Sequence, residues 1–284
     1  TAALLRLKPV FVEVDKQTFN IDPEAIEKAI TPKTKAIVPV HLYGQAANME
    51  AIMKIAEKHQ LFVVEDNAQA IGCDFTFSNG TVKRTGTIGH IGCTSFYPSK
   101  NLGAFGDGGA MCTNDGELAE KLRMIANHGQ NTRYYHDMVG CNSRLDSIQA
   151  AILDIKLRHL DGYCHARQQA AAYYDRAFVN NPKITIPFRA SNSTHVFHQY
   201  TLILHDVNRD ALQQHLADKK IPSMIYYPLP AHKQRMFEIY NVGSLDLSIT
   251  EWLNEKVISL PIHTELDEEQ LKYISENVLE YVNR

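Results

Sequence analysis

The feature that most restricts the fold is an alternation in the first third of the chain. KAIVPVHL, residues 35–42, is a nearly continuous apolar run. NMEAIMKIAEKH, residues 48–59, has apolar residues at helical spacing, with Ile52, Ile55 and Ala56 on one face. LFVVED, residues 61–66, is a second apolar run that ends in acids. Apolar runs separated by an amphipathic helix predict βαβ units and a buried parallel sheet. PVFVEV, residues 9–14, reads as one more β-rich run. In IDPEAIEKAI, Asp22 caps, Pro23 suits the first turn, and Ile26 and Ile30 share a face, so a helix is expected.

Further on, GHIGCTSFYP and GGAMCTN predict shorter segments around a Gly-rich turn, and ELAEKLRMIANHG predicts a helix. Residues 146–178 hold no proline and predict a long linking helix or a pair. After Pro182 the texture changes. HVFHQYTLILH reads as a strand, RDALQQHLADKKI as a helix, SMIYYPLP as a strand and turn, and EEQLKYISENVLEYV as a closing helix. The expected organisation is a large α/β domain over residues 1–160 and a smaller α+β domain, with the linking helix, over 161–284.

Bulk properties exclude several classes. With 284 residues, 44% hydrophobic and 21% charged, the chain can bury a sizeable core. A net charge of −3 with scattered Lys and Arg gives no basic field for nucleic acid or acidic membranes. No run approaches the roughly 18 apolar residues that span a bilayer. Cys73, Cys93, Cys112, Cys141 and Cys164 are widely spaced and match no zinc pattern, so buried reduced thiols, no metal and a cytoplasmic setting are expected.

Asp66 stands at the end of an apolar strand, where ligands bind in open α/β sheets. A carboxylate there either caps the next turn or pairs with a cation such as a protonated pyridine nitrogen. Lys100, in TSFYPSKNLGAFGDGGA, lies among Ser95, Ser99 and four glycines. A surface lysine, a phosphate-binding point charge and an imine-forming amine all fit that setting, whereas the P-loop spacing is absent. Strand-end Asp followed by Ser-x-x-x-x-Lys is stronger than either alone. It supplies an amine, a partner for a ring nitrogen and hydroxyls for a phosphate, as pyridoxal 5′-phosphate requires.

The strings PVHLYG, VVEDNAQAIG, TSFYPSKNLGAFGDGG and GCNSRLDSIQAAIL resemble the DegT/DnrJ/EryC1/StrS sugar aminotransferases, and the likeness runs along the whole chain. The resemblance implies the aspartate-aminotransferase-like fold, fold type I of the pyridoxal-phosphate enzymes, acting as a homodimer with shared active sites. It implies that Lys100 holds the cofactor as a Schiff base and that Asp66 meets the pyridinium nitrogen. Ala68 would pack on the ring, Gln69 would bond the ring hydroxyl, Ser95 the phosphate, and Asn142 the phosphate of the partner's cofactor. Lys100, rather than the His of dehydratase relatives, implies transamination, with glutamate as donor and a nucleotide-linked keto sugar as acceptor.

The same resemblance points to UDP-2-acetamido-3-keto sugars and to surface-polysaccharide or modified-sugar synthesis. Arg133, Tyr134 and His136, in HGQNTRYYHDMVGCN, and Tyr226, Tyr227 and His232, in IPSMIYYPLPAHKQ, would contact the sugar nucleotide. Each set also reads as a polar loop or an aromatic turn. His41 and His198 read as structural. The family's N-terminal segment, with a Gly-Thr turn for the phosphate, is expected ahead of the Thr that opens this chain. The competing expectation is a non-catalytic or truncated regulatory relative.

Overall fold

The computed structural model describes residues 1–240 and 246–284. The chain forms two compact units. One comprises Lys35–Cys164 with Ser191–His198; the other comprises Thr1–Thr34, His165–Ala190 and Gln199–Arg284.

The first unit carries a four-stranded sheet in the order Ala36–Ile37, Phe62–Asp66, Ile91–Ser95, Gly109–Cys112. The first three strands are parallel, with Ile37 opposite Val63 and Asp66 opposite Cys93. The fourth runs antiparallel, with Ser95 opposite Gly109. Between the first two strands runs helix Met49–His59, capped by the Asn48 side chain accepting from the Ala51 N–H. It buries Met49, Ile52 and Ala56, the face expected from its spacing, with Ile55 only partly covered.

The apolar runs are less buried than expected. In Phe62–Asp66 only Val63 and Glu65 are buried, and Phe62 is 57% exposed. The 35–42 run is a strand only at Ala36–Ile37. Pro39 has no N–H to give a ladder, yet its carbonyl accepts the Asp66 N–H at 2.8 Å. The chain then turns through Leu42–Gly44, with Tyr43 at φ 58 and Gly44 at φ 103. A Cβ on Gly44 would stand 3.0 Å from the backbone nitrogens of Phe197 and His198, so glycine is required there twice over.

The proline-free stretch is a pair of helices, Ser147–Leu157 and Leu160–Phe178, broken at Arg158 and His159. The second unit is built on an antiparallel sheet ordered Val257–Leu260, Tyr200–Leu204, Ile184–Thr185. Tyr200, Leu202, Leu204 and Ile258 are fully buried in it, each aliphatic side chain contributing about 1.5–3 kcal/mol. Helix Arg209–Asp218 and helix Glu268–Val282 belong to the same unit, the latter opened by an Asp267–Gln270 capping box.

Two expected strands reduce to single bridges: Val14 with Ile21 in the 9–14 run, and Met224 with Ser259 in SMIYYPLP. Helix Ser248–Lys256 and the strand after it were not foreseen. That helix has no cap of its own; the Glu13 carboxylate caps it instead, accepting from the Ile249 and Thr250 N–H groups at 2.8 and 2.9 Å. The five cysteines form no disulfide among the described residues, and Cys112 and Cys141 are exposed rather than buried as expected. No helix among the described residues is long and apolar enough to cross a membrane.

Candidate active site

Asp66 and Ser95 end adjacent parallel strands of the first unit, so both project from the same sheet edge. The Asp66 backbone is clamped, its N–H to Pro39 and its carbonyl to the His41 N–H. Its Oδ1 accepts the Ala68 N–H at 3.0 Å, so the residue does cap the next turn. Oδ2 has no hydrogen-bond partner among the described residues and remains for a cation. Capping and ligand binding are therefore compatible in this one side chain.

Beyond Ser95 the chain folds back tightly. The Ser95 hydroxyl accepts the Tyr97 N–H at 3.2 Å, and the Lys100 N–H bonds the Tyr97 carbonyl. A Cβ on Gly103 would stand 2.3 Å from the Pro98 carbonyl oxygen, so the turn closes only with glycine there. Asn101, next to Lys100, is buried and donates to the Val196 carbonyl at 3.0 Å, while its oxygen meets His198 Nδ1 at 3.3 Å. Gln149 on the Ser147–Leu157 helix accepts the Phe105 N–H at 2.8 Å. The lysine thus sits on a loop fastened at both flanks.

Lys100 is half-buried, and burial pulls its ammonium below the ordinary lysine range, with the Asp66 charge opposing in part. A loosened proton and a nearby carboxylate are the two properties an imine-forming lysine needs. These residues fit pyridoxal phosphate: amine, carboxylate and hydroxyl belong to one sheet edge and the loop that follows it.

Gln69 lies just past Asp66, and its Oε1 accepts the Tyr43 N–H at 2.7 Å. That bond assigns the amide, its oxygen being the end that meets the Tyr43 N–H. Beneath it lies a group missed in the sequence. Glu65 is fully buried, and its oxygens accept from His41 Nε2 at 2.8 Å and from the N–H groups of Gly86, Ile88 and Gly89 at 2.7, 2.7 and 2.6 Å. Burial raises its pKa, but the bonds from His41 and the loop outweigh that and hold it below the usual carboxylate range. Strand alternation was the available signal: Asp66 and Glu65 face opposite ways, and a charge among Val63 and Leu61 demands donors.

The remaining candidates are placed differently. Arg133, Tyr134 and His136 are exposed on a hairpin, Gln130–Thr132 with Tyr135–His136. The Arg133 guanidinium lies 4.9 Å from the Tyr134 ring centroid, and His136 Nδ1 donates to the His128 carbonyl. Asn142 is exposed and accepts from Arg144 Nε at 3.0 Å, which leaves its amide nitrogen to donate. Tyr226, Tyr227 and His232 belong to the other unit. There His232 is buried and bonded to Glu251 at 3.1 Å, while Tyr227 is 52% exposed. No cluster of His, Cys, Asp and Glu able to hold a metal occurs among the described residues.

The DegT/DnrJ/EryC1/StrS aminotransferase family matches residues 1–279. The pleiotropic regulatory protein of Geobacillus stearothermophilus is 48% identical over 96% of this chain and 72% of its own. The UDP-N-acetyl-3-dehydro-alpha-D-glucosamine 3-aminotransferase of Acidithiobacillus ferrooxidans is 47% identical over 94% and 70%. The dTDP-3-amino-3,6-dideoxy-alpha-D-galactopyranose transaminase of Aneurinibacillus thermoaerophilus is 45% identical over 97% and 72%. Among solved structures, S. venezuelae DesV in complex with a ketimine intermediate superposes with a TM-score of 0.89 at 40% identity, covering 97% of this chain and 72% of that one.

Proposed function

Because the chain belongs to the DegT/DnrJ/EryC1/StrS aminotransferase family and is a pyridoxal-phosphate-dependent sugar aminotransferase of fold type I, we propose that it moves an amino group from glutamate to C3 of a UDP-linked 2-acetamido-3-keto sugar. The observation that carries this reading is the pairing of Lys100, its proton loosened by burial, with Asp66 at the strand end. The product would serve surface-polysaccharide or modified-sugar synthesis. UDP rather than dTDP is favoured by the likeness to the Acidithiobacillus enzyme, although the dTDP-sugar relative is nearly as similar.

Pyridoxal phosphate, when bound, supplies a carbonyl that takes up the amino group and a ring that accepts electrons from the adjoining carbon. Asp66 would hold the ring nitrogen in its protonated form through the oxygen that Ala68 does not engage. Gln69 would bond the ring oxygen through its amide, and Ala68 would pack on the ring. Ser95 and, from the partner subunit, the counterpart of Asn142 hold the phosphate. Lys100 would hold the cofactor through its amine, and its Nζ, as a free amine, would serve as the acid and base that moves a proton. Arg133, Tyr134 and His136 would contact the sugar nucleotide, with Arg133 reading a carboxylate or diphosphate; Tyr226, Tyr227 and His232 are the second set of candidate contacts.

A homodimer is supported by the apolar side chains left uncovered on the Ser147–Leu157 helix, Ile148 and Ile155 being 73% and 60% exposed. Five cysteines without a disulfide among the described residues favour the cytoplasm. Light scattering on the purified protein checks the dimer. Borohydride treatment of the yellow holoenzyme, followed by peptide mapping, should place the reduced cofactor on Lys100; a label elsewhere ends this reading. A panel of UDP- and dTDP-linked 3-keto and 4-keto sugars with glutamate then identifies the acceptor. A regulatory role gains support from the name of the Geobacillus relative. It predicts a protein that takes up no cofactor.

A further inference from the structure

Glu65 and His41 take no part in the chemistry described, yet both are fully buried and bonded to each other at 2.8 Å. All four contacts of the Glu65 carboxylate are donors. His41 is equally committed: its Nδ1 accepts the Ala47 N–H at 3.1 Å, so its proton sits on Nε2 and points at Glu65. Turning either side chain away would leave buried donors without an acceptor. The pair therefore fixes where the chain stands at His41, one residue before the Leu42–Gly44 turn. That turn presents the Tyr43 N–H to Gln69 Oε1.

We propose that the buried Glu65–His41 pair is a positioning device for Gln69. It holds the turn whose Tyr43 N–H commits the Gln69 oxygen, so the amide can act on the cofactor only as a donor. The inference rests on the cofactor reading above and deepens it. A positioning residue acts through another group, and here the line runs Glu65, His41, Tyr43 N–H, Gln69 amide.

Substitution separates this from a merely structural role. Glu65→Gln puts an amide N–H2 among donors, and His41→Asn keeps an acceptor for Ala47 but loses the donor to Glu65. His41→Gln restores a donor near the Nε2 position. The readout is the pH midpoint of the visible absorbance of the cofactor-loaded protein, with cofactor affinity measured by fluorescence titration.

A donor to the ring oxygen competes with the neighbouring protonated nitrogen for that oxygen's charge, so weakening it holds the proton on more tightly. Glu65→Gln and His41→Asn should raise the midpoint by roughly half to one unit, the size of one lost hydrogen bond. They should also weaken cofactor binding several-fold, whereas His41→Gln stays near wild type. Should Glu65→Gln fail to fold, His41→Asn carries the test, because it leaves three backbone donors on Glu65. Variants that lose thermal stability but keep the wild-type midpoint and affinity overturn the inference. Gln69→Leu, made alongside, must shift the midpoint as well. If it does not, or if wild type takes up no cofactor, the fault lies in the underlying reading.

Discussion

The strand end around Asp66 and the Gln130–His136 hairpin are both polar and both carry candidate site residues, but they are held in opposite ways. Around Asp66 the polar atoms are fixed from within: a clamped backbone, a four-donor carboxylate on Glu65, and a buried asparagine beside Lys100. On the hairpin Arg133, Tyr134 and His136 stand in solvent, with Tyr135 70% and nearby Val139 95% exposed. Local backbone bonds hold them, such as the Tyr134 N–H to Gln130 Oε1 at 2.9 Å. On the proposed reading, the groups for the chemistry are held by the interior of the first unit, whereas those for recognition stand on its surface.

The sharpest way to break this contrast is Lys100→Ala. Amine transfer should fall roughly a thousandfold or more and the yellow colour should vanish. Calorimetry should show stability unchanged or slightly raised, because burial disfavours the ammonium it removes. Next in size is Glu65→Gln, which leaves buried donors unmet and should cost about 2–4 kcal/mol in urea unfolding.

The pH dependence has a definite sign. Folding holds the Glu65 pKa below its ordinary 4.5, so the stability this carboxylate contributes is complete above that pH and is lost as the pH falls through the lowered value. The Glu65→Gln protein should show a smaller loss on acidification; an identical acid profile would remove Glu65 from the account. Arg133→Ala comes third. It should raise KM for the sugar nucleotide about tenfold with kcat and melting temperature unchanged. A fall in kcat instead would join the hairpin to the chemistry. Smallest is Tyr135→Ser, where stability should stay within about 0.5 kcal/mol. A larger loss would mean that the hairpin, too, is built from within.

The same contrast explains what was legible in the sequence. The strand-end place of Asp66 could be read because it follows from local apolar patterning. Glu65 could not be paired with His41, 24 residues away, because three of its four partners are backbone groups without a residue signature. Asn101 reaches Val196 across 95 residues, so the return of Ser191–His198 to the first unit had no local sign. SMIYYPLP was misread because aromatic, β-prone residues were taken as a ladder, whereas only Met224 finds a partner strand. The 9–14 run failed likewise: one bridge replaces the ladder, and Glu13 spends its side chain on a distant helix.

Glu13 also sets an order of events during synthesis. The helix it caps lies 236 residues downstream, so the cap cannot form until the ribosome has passed Thr250. At about 5–20 residues per second, the first turn of the chain waits tens of seconds for its partner. The first unit is drawn entirely from residues 35–198. It is therefore free to form on the ribosome, while residues 1–34 remain open to proteases and chaperones until the last segments emerge. Ribosome-bound chains stalled before Ser248 should be clipped within that stretch, and chains released after Val257 should not.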